Sequence, residues 1–174
     1  MLLKSKQIAY LGMLLAINQI ILISSIIFTT NTLVIYALAA LTVGIVIIEF
    51  KLNLGVTFYI ASSLLAWILV PDKIQIITYI GFFGLYSIVK YLIESFINRK
   101  NLSVIIEFIL KIVFFNLELT IYYFIMKEFI VMPISVTWYI IVLAEAFFVA
   151  YDYFLGYFLH VYVNKVKPKL KIKR

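Results

Sequence analysis

Long apolar runs follow one another along this chain with only short polar breaks between them, and that alternation limits what the chain can fold into. Residues 7–28, for example, contain no charged side chain. A helix of about 20 such residues, rising about 1.5 Å per residue, crosses the hydrocarbon core of a bilayer. Reading the polar punctuation as span ends predicts six transmembrane helices near 6–28, 31–50, 54–70, 74–97, 102–126 and 135–163. Each break has a chemical cause. Thr29-Thr30-Asn31-Thr32 is a polar turn, Glu49 to Asn53 carries charge, Pro71-Asp72-Lys73 stops a helix, Asn98-Arg99-Lys100-Asn101 is a charged loop, and Pro133 precedes the last run. None can hold a domain, so the expected fold class is all-α: one polytopic membrane domain over 1–174, a six-helix bundle, with 164–174 as a basic tail.

Composition agrees and removes whole classes of chemistry. Hydrophobic residues make up 66% of the chain and charged ones 13%, more apolar surface than a domain of this size can hide from water. There is no cysteine and one histidine, which excludes disulfides, thiolate catalysis and a multi-histidine metal site within one chain. No His-Glu-x-x-His, Gly-x-Ser-x-Gly, paired-glutamate protease motif or phosphate-binding glycine loop is present, so neither an enzyme nor a cofactor is expected. The first run is of spanning length and lacks a small-x-small cleavage signature, so it is expected to be retained.

Charge sets the expected orientation. With the N-terminus inside, 11 basic residues fall on the cytoplasmic side: Lys4, Lys6, Lys51, Arg99, Lys100 and the tail residues Lys165, Lys167, Lys169, Lys171, Lys173 and Arg174. Lys73 and Lys127 alone fall outside, a bias that fits an even number of spans with both ends in the cytoplasm. The net charge of +7 is concentrated in these flanks, and the Lys-x-Lys tail has no interleaved aromatics for stacking bases. Anionic lipid, at about 1 kcal/mol per charge, is therefore the expected contact rather than nucleic acid. The paired aromatics Tyr122-Tyr123 and Trp138-Tyr139, and those from Tyr151 to Tyr157, read as helix packing and interfacial belts.

The remaining charges lie inside the runs, where each costs about 2.5–3.5 kcal/mol on insertion scales and so faces a partner or a cavity. They form helical stripes. Ser87, Lys90 and Glu94 share one face, near the small residues Gly81 and Gly84; Glu107, Lys111, Glu118 and Tyr122 share another; Trp138, Glu145, Asp152, Gly156 and His160 share a third. Depth sorts them into two layers. Lys90, Lys111 and Asp152 lie about 10–14 Å from the cytoplasmic end, with Glu94 and Glu107 nearer the interface. That layer can neutralise itself, as structural ion pairs or as a proton or ion relay. Glu118 and Glu145 lie at roughly 22–24 Å with no basic residue at their height, and Asn18 and Gln19 of the first run reach a similar level. Two readings of this second layer stay open: neutral carboxyls hydrogen-bonded between helices, or an outer-half pocket walled by Tyr122 and Trp138 for a small cationic or hydrogen-bond-rich molecule. His160 is expected at the interface rather than as a ligand.

A six-helix chain with both ends inside, a basic N-terminal flank and the segment Ile8-Ala9-Tyr10-Leu11-Gly12-Met13-Leu14-Leu15-Ala16 resembles the substrate-binding S components of energy-coupling factor (ECF) vitamin transporters. The resemblance implies a docking face of Ala9, Gly12 and Ala16 for a transmembrane coupling subunit, and two cytoplasmic ATPases driving a toppling motion. It also implies vitamin or micronutrient capture on the outer side by helices four to six. The segment from Phe82 through Lys90 to Glu94 is similar to stretches of uncharacterised small membrane proteins of low-GC Gram-positive bacteria, which implies a bacterial cytoplasmic membrane. A second architecture of this size is similar as well, that of the MreD cell-shape proteins. It implies a non-catalytic scaffold in which the polar seams only pack.

Overall fold

The computed structural model describes the backbone of residues 5–129 and 138–170 and the side chains of 5–124 and 139–169; Pro133 and the end of the basic tail lie outside the described residues. All described secondary structure is helical. The order is α1 (Ser5–Ser24), a single 3-10 turn (Thr29–Asn31), α2 (Thr32–Leu69), α3 (Lys73–Thr78), a π-helical turn (Tyr79–Gly84), α4 (Leu85–Lys100), α5 (Val104–Phe129), α6 (Trp138–Val161), a second π-helical turn (Tyr162–Val166) and α7 (Lys167–Leu170). Among the described residues, four helical runs are long and apolar enough to cross a membrane: Ser5–Ser24, Thr29–Leu69, Lys73–Lys100 and Tyr139–Lys169. Large apolar side chains cover their outside, among them Ile8, Met13 and Ile20 on α1 and Leu143 and Tyr153 on α6. A polar interior under an apolar exterior is the arrangement a bilayer favours.

The boundaries differ from the expected ones where backbone chemistry intervenes. The first helix ends at Ser24 rather than near 28. The hydroxyls of Ser24 and Ser25 donate to the carbonyls of Ile21 and Leu22, each at 2.6 Å, and the amides of Ser25 and Ile26 turn to carbonyls three residues back. The second and third runs form one helical stretch, Thr32–Leu69, broken at Lys51 alone, where φ is 71° and ψ is 173°. A straight helix of that length would extend about 57 Å, far beyond a bilayer core. Instead the chain doubles back. A Cβ on Gly55 would overlap the side chain of Ile47, eight residues earlier, which an uninterrupted helix would hold a full two turns away. The charged break from Glu49 to Asn53 is thus compressed into one residue. Pro71-Asp72-Lys73 does stop a helix: Asp72 caps α3 by accepting from the Gln75 amide at 3.1 Å, and the Lys73 ammonium donates to the carbonyls of Trp67 and Val70 at the end of α2. The last helix runs beyond the expected 163 to Leu170, so Lys165, Lys167 and Lys169 stand on helical backbone.

The chain divides into two compact units, residues 1–91 and 92–174. In the first, Leu14, Val43, Val46, Ile47, Phe58 and Ile88 form an apolar cluster between α1, both arms of α2 and α4. Next to it lies a buried polar ring. Asn18 Nδ2 donates to the Tyr79 hydroxyl (3.2 Å), Ser62 Oγ donates to Asn18 Oδ1 (2.7 Å), and Tyr79 therefore donates to Ser62 Oγ (2.9 Å), closing a cycle of three side chains. Asn18 Nδ2 also reaches the Ala39 carbonyl and Thr42 Oγ1, at 3.0 and 2.9 Å, and Gln19 Nε2 reaches the Ser62 carbonyl and Asn18 Oδ1, at 3.0 and 3.1 Å. One asparagine so ties α1 to both arms of α2 and to the π-helical turn. That turn passes close to α2: a Cβ on Gly84 would come within 2.8 Å of the Tyr59 ring, whose hydroxyl donates to the Ile80 carbonyl at 2.6 Å. Ser87 on α4 donates to the Ala40 carbonyl at 3.0 Å.

Lys51 is the strained position. A positive φ with ψ near 180° is a conformation only glycine adopts freely and costs other residues about 1–3 kcal/mol. Lys51→Gly is therefore expected to raise the thermal stability of the detergent-solubilised protein by the equivalent of about 1 kcal/mol, read as an increase in unfolding midpoint; a midpoint that falls or stays put contradicts the strain.

Candidate functional site

The second unit holds the polar stripes of α5 and α6. On α5 Lys111, Phe115 and Glu118 are buried, and Glu107 and Tyr122, one turn beyond each end, are half-buried. On α6 the inward residues are Phe148, Tyr151 and Leu155, with Glu145 and Asp152 half-buried beside them. On α5 the spacing of four and seven that grouped these side chains in the sequence is the inward face; on α6 the expected stripe of Glu145, Asp152 and Gly156 only flanks the buried face, and His160 is exposed.

Three levels follow along this face. At the first, the Lys111 ammonium meets three carboxylates from three helices: Glu94 of α4 at 3.1 Å, Glu107 of α5 at 2.7 Å and Asp152 of α6 at 3.3 Å. Lys111 is 4% exposed as a residue, so these partners replace its water shell almost entirely. Of the five residues expected in this layer, three converge on a fourth, Lys111; the fifth, Lys90, is buried in the first unit. At the second level the rings of Phe115 and Phe148 stack with centroids 4.4 Å apart and planes 9° apart, both nearly free of exposure. At the third level Asn116 Nδ2 donates to Glu145 Oε1 at 2.8 Å and to the Ile112 carbonyl at 3.0 Å.

Glu118 shares this third level. Lys111 meets Asp152, Phe115 meets Phe148 and Asn116 meets Glu145, so α5 and α6 run antiparallel, and each step up one helix is a step down the other. That register sets Glu118 level with Glu145. Glu118 is 8% exposed, yet both its carboxyl oxygens are buried with no hydrogen-bond partner among the described residues. Buried polar groups are overwhelmingly paired, and leaving one unpaired costs about 1–3 kcal/mol, more when it is charged. A ligand that donates hydrogen bonds or brings positive charge removes that cost. The Lys111 level has no such need.

The other expected site residues fall as follows. Tyr122 lies one turn from Glu118 on the same face, half-buried. Trp138 begins α6, and its side chain lies outside the described residues. Asn18 and Gln19 hydrogen-bond in the polar ring of the first unit, where the buried Gln19 Oε1 has no partner among the described residues. His160 is exposed and lies 2.8 Å from Asn164 Nδ2, and Gly156 is half-buried. Asn116 was not singled out by the sequence reading, because it sits off the charged stripe. The signal was an amide inside an otherwise apolar stretch of α5, a group that must find a partner across helices. Among the described residues no group of three or more His, Asp or Glu side chains is placed to hold a metal ion. Comparison with known proteins finds no match, whether to a family model, a curated protein or a solved structure.

Removing Lys111 leaves three carboxylates facing one another. Lys111→Met is expected to cost about 3 kcal/mol, the low end for breaking a buried pair because its carboxylate partners are partly exposed. Adding Glu107→Gln should restore part of the loss in thermal unfolding; equal midpoints for wild type and Lys111→Met would show that the cluster does not stabilise the fold.

Proposed function

We propose that the chain is a six-span membrane protein with both ends in the cytoplasm, resident in a bacterial cytoplasmic membrane, that binds a small water-soluble nutrient of the vitamin or micronutrient class. In this reading it is S-component-like. A coupling subunit and cytoplasmic ATPases supply the energy for import, and the chain itself performs no catalysis. The observation that carries the reading is Glu118, a buried carboxyl with no hydrogen-bond partner among the described residues, level with Glu145. Lys111 and Asn18, by contrast, are surrounded by partners.

The first helix adds support. Ala9, Gly12 and Ala16 lie on its exposed side, and a Cβ built on Gly12 meets nothing within 4 Å, so the small-residue face is free for the close helix approach a coupling subunit would make. The span count is supported by the reversal at Lys51, which makes two arms of spanning length from one helical stretch. A scaffold function of the MreD kind is the second reading, favoured by the ring around Asn18, whose hydrogen bonds join helices directly. Affinity purification separates them: ATPases and a coupling subunit co-purify with a transporter component, and cell-wall or cytoskeletal proteins with a scaffold.

Two outcomes are expected. Because the chain has no cysteine, single cysteines introduced at Arg99 and at Asp72 need no background removal, and a membrane-impermeant thiol reagent applied outside intact cells should label the second and not the first; the reverse pattern, or equal labelling, rules out the orientation. In detergent, at least one member of a broad vitamin and cofactor panel should raise the unfolding midpoint saturably, by about 2.7 kcal/mol at a hundredfold excess over Kd. The shift should disappear in Glu118→Gln or Glu145→Gln, and a panel that shifts nothing removes the solute-binding reading.

A further inference from the structure

The charges around Glu118 restrict what can sit there. Between Lys111 and Phe124 on α5, and between Tyr139 and Tyr151 on α6, there is no lysine, arginine or histidine. The nearest ammonium on this face, Lys111, lies two turns along α5, about 10 Å away by helical rise. It stands on the far side of the Phe115–Phe148 stack and is engaged by Glu94, Glu107 and Asp152. Among the described residues of α5 and α6, the Glu118 level therefore presents two carboxyl groups, one amide donor that Glu145 and the Ile112 carbonyl already occupy, and an apolar floor of two phenyl rings.

An anionic ligand entering this level would meet two carboxylates and no counter-charge, in surroundings where weak screening makes the repulsion strong. A neutral ligand could donate to Glu118 but would bring no positive charge to a level that holds two carboxyl groups. A quaternary ammonium ion would bring charge but no N–H donor for the Glu118 oxygens. Among organic ligands, an ammonium group bearing N–H brings positive charge and donors together.

Resting on the solute-binding reading above, we propose that the Glu118–Glu145 level is specific for small organic ammonium ions bearing N–H groups, with Glu118 accepting from the ammonium and the Phe115–Phe148 pair contacting the apolar part of the molecule. Glu145, oriented by Asn116, adds the second negative charge that excludes carboxylates and phosphates.

The test uses four probes of one shape, added to the full-length protein in lipid nanodiscs: benzylamine, benzyltrimethylammonium, benzyl alcohol and benzoate, with affinities taken from isothermal titration or ligand-detected magnetic resonance. Benzylamine should bind at least tenfold more tightly than each of the others, and Glu118→Gln should abolish that preference. Glu145→Gln, which leaves Glu118 in place, should weaken benzylamine and relieve the exclusion of benzoate; it serves as the independent variant if Glu118→Gln does not fold. Benzoate or benzyl alcohol binding as well as benzylamine, a preference that survives Glu118→Gln, or no binding by any of the four overturns the proposal. Saturable stabilisation by a neutral or anionic vitamin would preserve nutrient binding while refuting the ammonium specificity, so the two failures are distinguishable.

Discussion

In a chain this apolar, a polar side chain away from the membrane surface has no water to turn to, and the folded structure depends on how each such group is matched. Apolar contact contributes little between helices immersed in hydrocarbon, because lipid tails solvate leucine and isoleucine as well as another helix does. Directional interactions and close packing must supply the specificity. The ring of Asn18, Ser62 and Tyr79 does this for the first unit, fixing α1, the two arms of α2 and the π-helical turn with one set of hydrogen bonds. Each such bond is worth about 0.6 kcal/mol in a membrane protein. Its larger effect is to select one rotation and one depth for every helix it touches, since a shift of one residue would strand the whole ring.

The second unit uses charge for the same purpose. Lys111 joins α4, α5 and α6 through three carboxylates, and breaking that arrangement exposes like charges to one another. The stacked phenyl rings of Phe115 and Phe148 follow immediately, and beyond them the character of the face changes. Glu145 has its amide partner, but Glu118 has none among the described residues. Two levels of one helix pair thus have opposite chemistry: one saturated and rigid, one with an unmet requirement for donors and positive charge. The rings between them keep the saturated level from meeting that requirement.

This contrast is what motivates the proposal of solute binding over packing alone. A scaffold needs only polar groups that lock helices together, and the Asn18 ring and the Lys111 hub are enough for that. A buried carboxyl without a partner weakens a fold, and proteins keep such groups where a ligand completes them. On the small-residue side of α1, a Cβ built on Gly12 meets nothing within 4 Å.

The amino-acid sequence by itself determined that the chain is helical, apolar outside and polar along defined stripes, because a spacing of three or four residues fixes a helix face regardless of what that face meets. From this alone, Glu107, Lys111, Glu118 and Tyr122 could be placed on one side of α5, and Glu94 and Asp152 could be named as partners for Lys111. Helical rise gives depth but not neighbours. It set Asn18 and Gln19 at the height of Glu118, whereas the structure shows their hydrogen bonds going to Ala39, Thr42, Ser62 and Tyr79. The turn confined to Lys51 and the pairing of Asn116 with Glu145 were likewise decided only in three dimensions. Both depend on which helix lies alongside which, a relation between segments distant in the chain that local periodicity does not encode.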